Sequence, residues 1–239
     1  METHRENKIS IVIPVYEMNG KGMDYLRNNI ERILMQDYQN FEVIITDNSE
    51  GCSLCEMTRF EYGIKDARIK YYKNKDKKGI CANTNFGIKR CTGDLIKVIY
   101  QDDYLFLDNC LSEFNKFANE YPEKKWFAFS RRQIKNNEPC DIKHPKWNPY
   151  ILQGINTISA PSVIGIRNMN DESIYMDEAL QMYADLSWFH RLFLKYGEPQ
   201  YIHTTLIGVR EWAGQAQHQI SHEGLAKEKN YILDRYGIW

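Results

Sequence analysis

The amino-acid sequence predicts an α/β fold, with a parallel sheet covered on both faces by helices. Three observations carry that prediction. Short apolar runs rich in β-branched residues recur at residues 9–13, 41–46 and 95–100. Such runs are continuous rather than alternating, as in strands buried on both faces. Segments with apolar residues at helical spacing separate them, such as Met23, Leu26, Ile30 and Ile33. Each run then ends in polar or turn residues: Pro14-Val15-Tyr16-Glu17, Asp47-Asn48-Ser49 and Gln101-Asp102-Asp103. Right-handed crossovers put those three ends on one edge, the edge where open α/β sheets bind ligands.

The elements follow in order. A first strand over 9–13 is stopped by Pro14, and a helix runs through about Gln36. The second strand, 41–46, ends at Asp47. A helix is expected over 54–64 and a third strand over 68–72. Gly79 leads a helix to about Arg90, and Gly93-Asp94 turns into the strand that ends at the acid pair. The next helix carries a buried stripe of Leu107, Leu111, Phe114 and Phe117, and 126–130 is another strand. Residues 131–150 are polar, with three prolines, and read as a long loop or short hairpin. Residues 157–167 are strand-like but broken by Pro161. Asp185 opens a helix ending near Gly197, 200–209 is the last strand, and a short helix closes the tail. No repeat or linker divides the chain. It reads as one domain over 1–239, with an α/β half to about 115 and a more irregular half from 116.

Composition narrows the function. Of 239 residues, 43% are apolar and 26% charged, and the net charge of −1 gives no field for nucleic acid or an anionic membrane. No apolar run approaches the ~18 residues of a membrane span. The polar start has no signal-peptide core, so the expected compartment is the cytoplasm. Six cysteines in a chain this long do not make a disulfide framework. Cys52 and Cys55 have the C-x-x-C spacing without a second pair, which favours two reduced thiols over structural zinc. Asp102 and Asp103 are like charges on the ligand edge. A divalent cation that also holds phosphate oxygens would reconcile them.

Four strings in order, I-V-I-P-V-Y-E, V-I-I-T-D-N-S, K-G-I-C-A-N-T-N-F-G-I and G-D-L-I-K-V-I-Y-Q-D-D, make the first 115 residues resemble the family 2 glycosyltransferases of the GT-A fold. The resemblance continues more weakly over 156–167 and 183–191. It implies a GT-A mixed sheet and an inverting transfer of a sugar from a nucleoside diphosphate, UDP above all. The acceptor would be a hydroxyl of a glycan or lipid-linked glycan in polysaccharide biosynthesis. A lipid-linked acceptor would bring the protein to the inner face of the membrane.

The resemblance also assigns residues. Pro14, Val15, Tyr16 and Glu17 lie against the base. Asp47 accepts from a ring N–H, although Asp-Asn-Ser is equally a turn or a helix cap. Lys78, Gly79 and Asn83 lie near ribose and diphosphate, where Ala82 stands in place of a common Arg. Gln101 and Asp102 complete the nucleotide site, and Asp102 holds Mn²⁺ or Mg²⁺. Tyr100 replaces the first acid of the D-x-D signature, so a single carboxylate is left for the metal. Asp103 either accepts a hydrogen bond behind the metal site or touches the sugar, and Arg210 and Trp212 face the substrate. Trp212 occupies the place of a frequent His, for which His218 or His222 are substitutes. Asp185 is the expected base, with Ala184 in place of a usual Glu, helix capping as its plainer role, and Asp177-Glu178 as rivals. Two other functions stay open: a nucleotide-sugar binding module without catalysis, and a nucleotidyltransferase. The second lacks a Gly-rich basic loop after the first strand.

Overall fold

The computed structural model describes residues 5–212, 215 and 221–237. In chain order the elements are β1 (Ile9–Val15), α1 (Gly22–Leu34), β2 (Phe41–Asp47), α2 (Ser53–Met57), β3 (Ile69–Lys73), α3 (Ile80–Ile88), β4 (Leu95–Val98), β5 (Asp103–Leu105), α4 (Cys110–Glu120), β6 (Trp126–Lys135), β7 (Glu138–Lys143), β8 (Ile164–Arg167), α5 (Ala184–Tyr196), β9 (Gln200–Glu211) and α6 (His222–Tyr236). One sheet has the order β3-β2-β1-β4-β8-β6-β9-β5, with β7 added to β6.

Strands β1 to β4 are parallel, as the apolar runs predict. The second half makes the sheet mixed. Strand β8 is antiparallel to β4 and to β6, while β9 is parallel to β6. The two reversals cancel, so β6 and β9 run in the same direction as β1 to β4. The carboxyl end of β9, with Arg210, therefore reaches the same edge as Asp47 and Asp102.

Several local expectations change. Pro14 does not stop β1, which pairs with β2 through Val15. The amide Pro14 lacks would point towards β4, whose paired register with β1 ends at Val12 and Val98. The strand ending at the acid pair is shorter than expected, and a turn separates β4 from β5. That turn parts the two acids: Asp102 sits in it, while Asp103 begins β5 opposite Val209. The helix predicted over 54–64 is α2 continued by a π-helical turn, Thr58–Gly63. Leu107 precedes α4 and is exposed, so the buried stripe is Leu111, Phe114, Asn115 and Ala118. The polar stretch after β6 is a hairpin. Asn136 and Asn137, both at positive φ, make the two-residue turn to β7.

The core fills both faces of the sheet. On one, Phe114 of α4 meets Phe127 and Phe129 of β6 edge-on, at 5.7 and 5.3 Å between ring centres. Gly165 of β8 makes room for that ring, because a Cβ there would lie 2.5 Å from it. Aromatic clusters of this kind dominate core energetics. Among the described residues no helix is long and apolar enough to cross a membrane.

Candidate active site

The loop after β1 is tied to the turn after β4. The Tyr16 amide donates to Gln101 Oε1 at 2.9 Å, and Gln101 Nε2 donates to the Gly22 carbonyl at 2.7 Å. Gln101 is buried, so of the two its role here is to brace the backbone, while Tyr16 is 44% exposed on the edge. Position 22 must be glycine, since a Cβ would sit 2.4 Å from the Tyr16 carbonyl. Glu17 accepts from the Gly51 amide at 3.0 Å, linking this loop to the one after β2. Pro14 and Val15 are strand residues, and Val15 is buried in the sheet.

Asp47 ends β2 wholly buried. Its carboxylate takes the Ser49 amide at 2.7 Å, Lys73 Nζ at 2.9 Å and the Tyr71 hydroxyl. The Ser49 contact closes a turn within a larger internal network and caps no helix, since α2 begins at Ser53 after Cys52 with no side-chain cap bond. Asn83 is also buried on α3, donating to the Thr46 carbonyl at 2.7 Å. Gly79 heads α3 at φ 109°, where glycine alone is unstrained. Lys78 is exposed and pairs with Glu50 at 2.9 Å.

Asp102 lies part-buried in the turn after β4. Trp212 Nε1 donates to its Oδ2 at 3.0 Å, and Arg210 donates to its backbone carbonyl at 2.7 Å. The Arg210 guanidinium stacks over Tyr104 and Tyr25, at 4.4 and 4.9 Å from the ring centres. Lys21 lies 5.0 Å over the Trp212 ring. Burial, together with the Asp102 charge, holds the Tyr16 hydroxyl above its usual pKa. Tyr16, Tyr25, Asp102, Arg210 and Trp212 therefore form one cationic and aromatic rim.

Asp103 turns the other way. It is buried, and burial followed by the Asp102 charge pushes its carboxyl up to about 8. Of the two roles expected for Asp103, this burial suits the acceptor behind the site and not contact with the sugar. Ser162, which bonds Asp103, also accepts the Tyr100 amide at 2.9 Å. Beneath them Lys97, fully buried and lowered to about 7 by desolvation, donates to the carbonyls of Ser162 and Ile164.

Asp185 is the second residue of α5. Its Oδ2 accepts from Asn156 Nδ2 at 2.8 Å and its Oδ1 from the Leu186 amide at 2.8 Å. Burial raises its carboxyl to about 7. Its charge acts on Tyr100, two residues before Asp102. The rivals are otherwise engaged. Asp177 accepts from Tyr236 at 2.8 Å and Tyr231 at 3.1 Å, and Glu178 pairs with Lys77 at 2.7 Å. His222 is exposed at the start of α6, and His218 lies outside the described residues.

The donor set for a cation is sparse. No three Asp, Glu, His or Cys side chains gather as a metal cage among the described residues. Asp102 Oδ1 takes no hydrogen bond among them. One such oxygen fits Mg²⁺ or Mn²⁺ held mainly by phosphate oxygens and water, and does not fit a metal bound by protein alone. All six cysteines are free thiols.

The model of glycosyl transferase family 2 matches residues 10–168. The chain belongs to glycosyltransferase family 2. An uncharacterized glycosyltransferase of Rickettsia felis is 33% identical over 179 residues, 71% of this chain and 28% of that protein. The Campylobacter jejuni GalNAc(5)-diNAcBac-PP-undecaprenol beta-1,3-glucosyltransferase is 28% identical over 114 residues, 47% of this chain and 35% of its own. This chain thus spans about a third or less of those relatives. Among solved structures, Staphylococcus aureus TarS residues 1–349 with UDP-GlcNAc matches with TM-score 0.67 at 16% identity, over 90% of this chain and 61% of that one. The mannosyltransferase PcManGT of Pyrobaculum calidifontis, with GDP-Man and Mn²⁺, matches with TM-score 0.61 at 12% identity, over 95% and 65%. The fold is that of the GT-A glycosyltransferases.

Several contributors carry no local sequence signal. Tyr25 is one aromatic among many on helices, and Asn156 lies in a loop without periodicity. Lys97 was legible: a lone cation in an apolar strand buried on both faces must find carbonyl partners.

Proposed function

We propose that the protein transfers a sugar from a nucleoside diphosphate sugar, UDP-linked, to a hydroxyl of a glycan or lipid-linked glycan, with inversion. Two acids support this reading: Asp102, in the turn after β4, bonded by Trp212 and Arg210, and Asp185, at the start of α5, bonded by Asn156 and held near neutrality. Tyr16 offers a ring to the base, and Asp47, with Lys78, Gly79, Asn83 and Gln101, shapes the wall that base and ribose meet. Arg210 faces the diphosphate. A Mg²⁺ or Mn²⁺ ion held by Asp102 would offset the charge of the departing diphosphate.

Asp185 takes the proton of the acceptor hydroxyl as its oxygen attacks the anomeric carbon. A carboxyl near pH 7 is matched to that task, and a base so placed contributes ~10²–10⁴-fold. Asn156 and the Leu186 amide fix its orientation. One displacement on the face opposite the leaving diphosphate inverts the centre.

The test measures UDP binding by calorimetry and UDP release from a panel of UDP-sugars. Asp102→Asn is expected to lose Mn²⁺-dependent UDP binding and turnover. Asp185→Asn is expected to bind UDP as before and lose turnover. Full activity in both overturns the site. UDP binding by the unaltered protein with no release from any donor favours the non-catalytic module, a reading that Tyr100 in an acid's place keeps open.

A further inference from the structure

The segment that carries Asp185 has its backbone amides closed by a side chain from another element. Glu228 of α6 accepts three consecutive main-chain N–H groups. Its Oε1 takes Gln181 at 3.0 Å, and its Oε2 takes Met182 at 2.8 Å and Tyr183 at 3.0 Å. These amides stand immediately before α5, whose second residue is Asp185. Amides at a helix start lack partners within the helix, and a carboxylate is the strongest acceptor for them. The same segment grips α6 in return. Asp177 accepts from the hydroxyls of Tyr231 and Tyr236 and lies 3.5 Å from Arg235. On its other side Glu178 is held by Lys77 and Asn85 from the α3 region.

We infer that Glu228 is a positioning residue for the base: α6 straps the 177–185 segment, and Glu228 fixes where Asp185 stands. The inference rests on Asp185 being the base. Three bonds converge on one carboxylate just ahead of it, while among the described residues Asp185's own bonds reach Asn156 and its neighbour. Freeing the three amides lets the first turn of α5 shift. A displacement of ~1 Å at a reacting group costs ~10²-fold in rate. Donor binding is built on other elements and is untouched by that shift.

The experiment is a double-mutant cycle on the full chain, reading UDP release from UDP-sugars and UDP affinity by calorimetry. Glu228→Ala is expected to lower kcat ~10²-fold with UDP affinity unchanged. Glu228→Gln, which keeps one acceptor oxygen, is expected to fall between it and the unaltered protein. In an Asp185→Asn background Glu228→Ala is expected to cause no further loss, because its effect runs through Asp185. Lys227→Ala, an exposed neighbour on α6 paired with Glu223, serves as the control and keeps full turnover. Losses that add in the double variant, or UDP affinity falling in step with kcat, overturn the positioning role and leave Asp185 standing. Full turnover in Asp185→Asn alone overturns the underlying reading instead. If Glu228→Ala does not fold, Glu228→Gln carries the same cycle.

Discussion

Removing the Asn156 side chain is predicted to move the acid limb of activity upward. Burial holds the Asp185 carboxyl at about 7, and the Asn156 amide at 2.8 Å opposes that rise by bonding the charged form. A hydrogen bond to a charged group is worth ~1.5–3 kcal/mol. At ~1.4 kcal/mol per pH unit, its loss raises the carboxyl by ~1–2 units. The sign follows from which form the amide favours: it donates to the carboxylate, so without it the proton is held more tightly. In the unaltered protein about half of the base is ionised at pH 7 and about a tenth at pH 6. In Asn156→Ala the ionised share at pH 7 falls to ~1–10%. The assay is kcat/KM for UDP release from pH 5.5 to 9, since that ratio reports the free enzyme's base. The expected profile moves its acid limb up by one to two units within that range. An unmoved limb, or one moved down, refutes Asp185 as the titrating base.

Three further outcomes are expected. Asp103→Asn should gain stability over the unaltered protein as pH rises from about 4 to about 8, seen as a growing difference in urea midpoint; the folded chain keeps a proton up to about 8 that the unfolded chain releases near 4, and a constant difference would contradict this. Gly165→Ala should lose ~1–3 kcal/mol by overpacking against Phe114, read as a lower urea midpoint at unchanged slope, and an unchanged midpoint would show that the ring yields freely. Trp212→Phe keeps the ring beside Tyr25 but removes the N–H from Asp102 Oδ2; the Mn²⁺ concentration for half-maximal UDP binding should fall ~10-fold, and no fall would mean that the indole does not compete with a cation.

The parallel half of the sheet was legible because burial on both faces leaves an uninterrupted apolar signature, and because Gly79 and Gly93 punctuate it. Strand β5 was not: three residues, Asp103–Leu105, have no periodicity to read, and only pairing with β9 makes them a strand. That omission hid the inward turn of Asp103. The candidate acids Asp102 and Asp185 come from motif order, whereas the bonds of Asn156 and Glu228 span 29 and 45–47 residues of sequence and leave no local trace. The Asn136-Asn137 turn was available in the sequence, as a pair tolerant of positive φ between two strand-forming stretches.

Strand β9 has a consequence for how the chain comes to its final shape. The family match ends at residue 168, yet Arg210 and Trp212 arrive only with β9, which inserts between β6 and β5. Asp103 must wait for Val209, about a hundred residues later in synthesis. Until then a growing chain exposes the unpaired edges of β5 and β6 to its neighbours, the kind of late, long-range closure that slows folding and invites aggregation. A fragment cut at the family boundary is therefore expected to be a poor candidate for expression, and one that lacks half of the rim around Asp102.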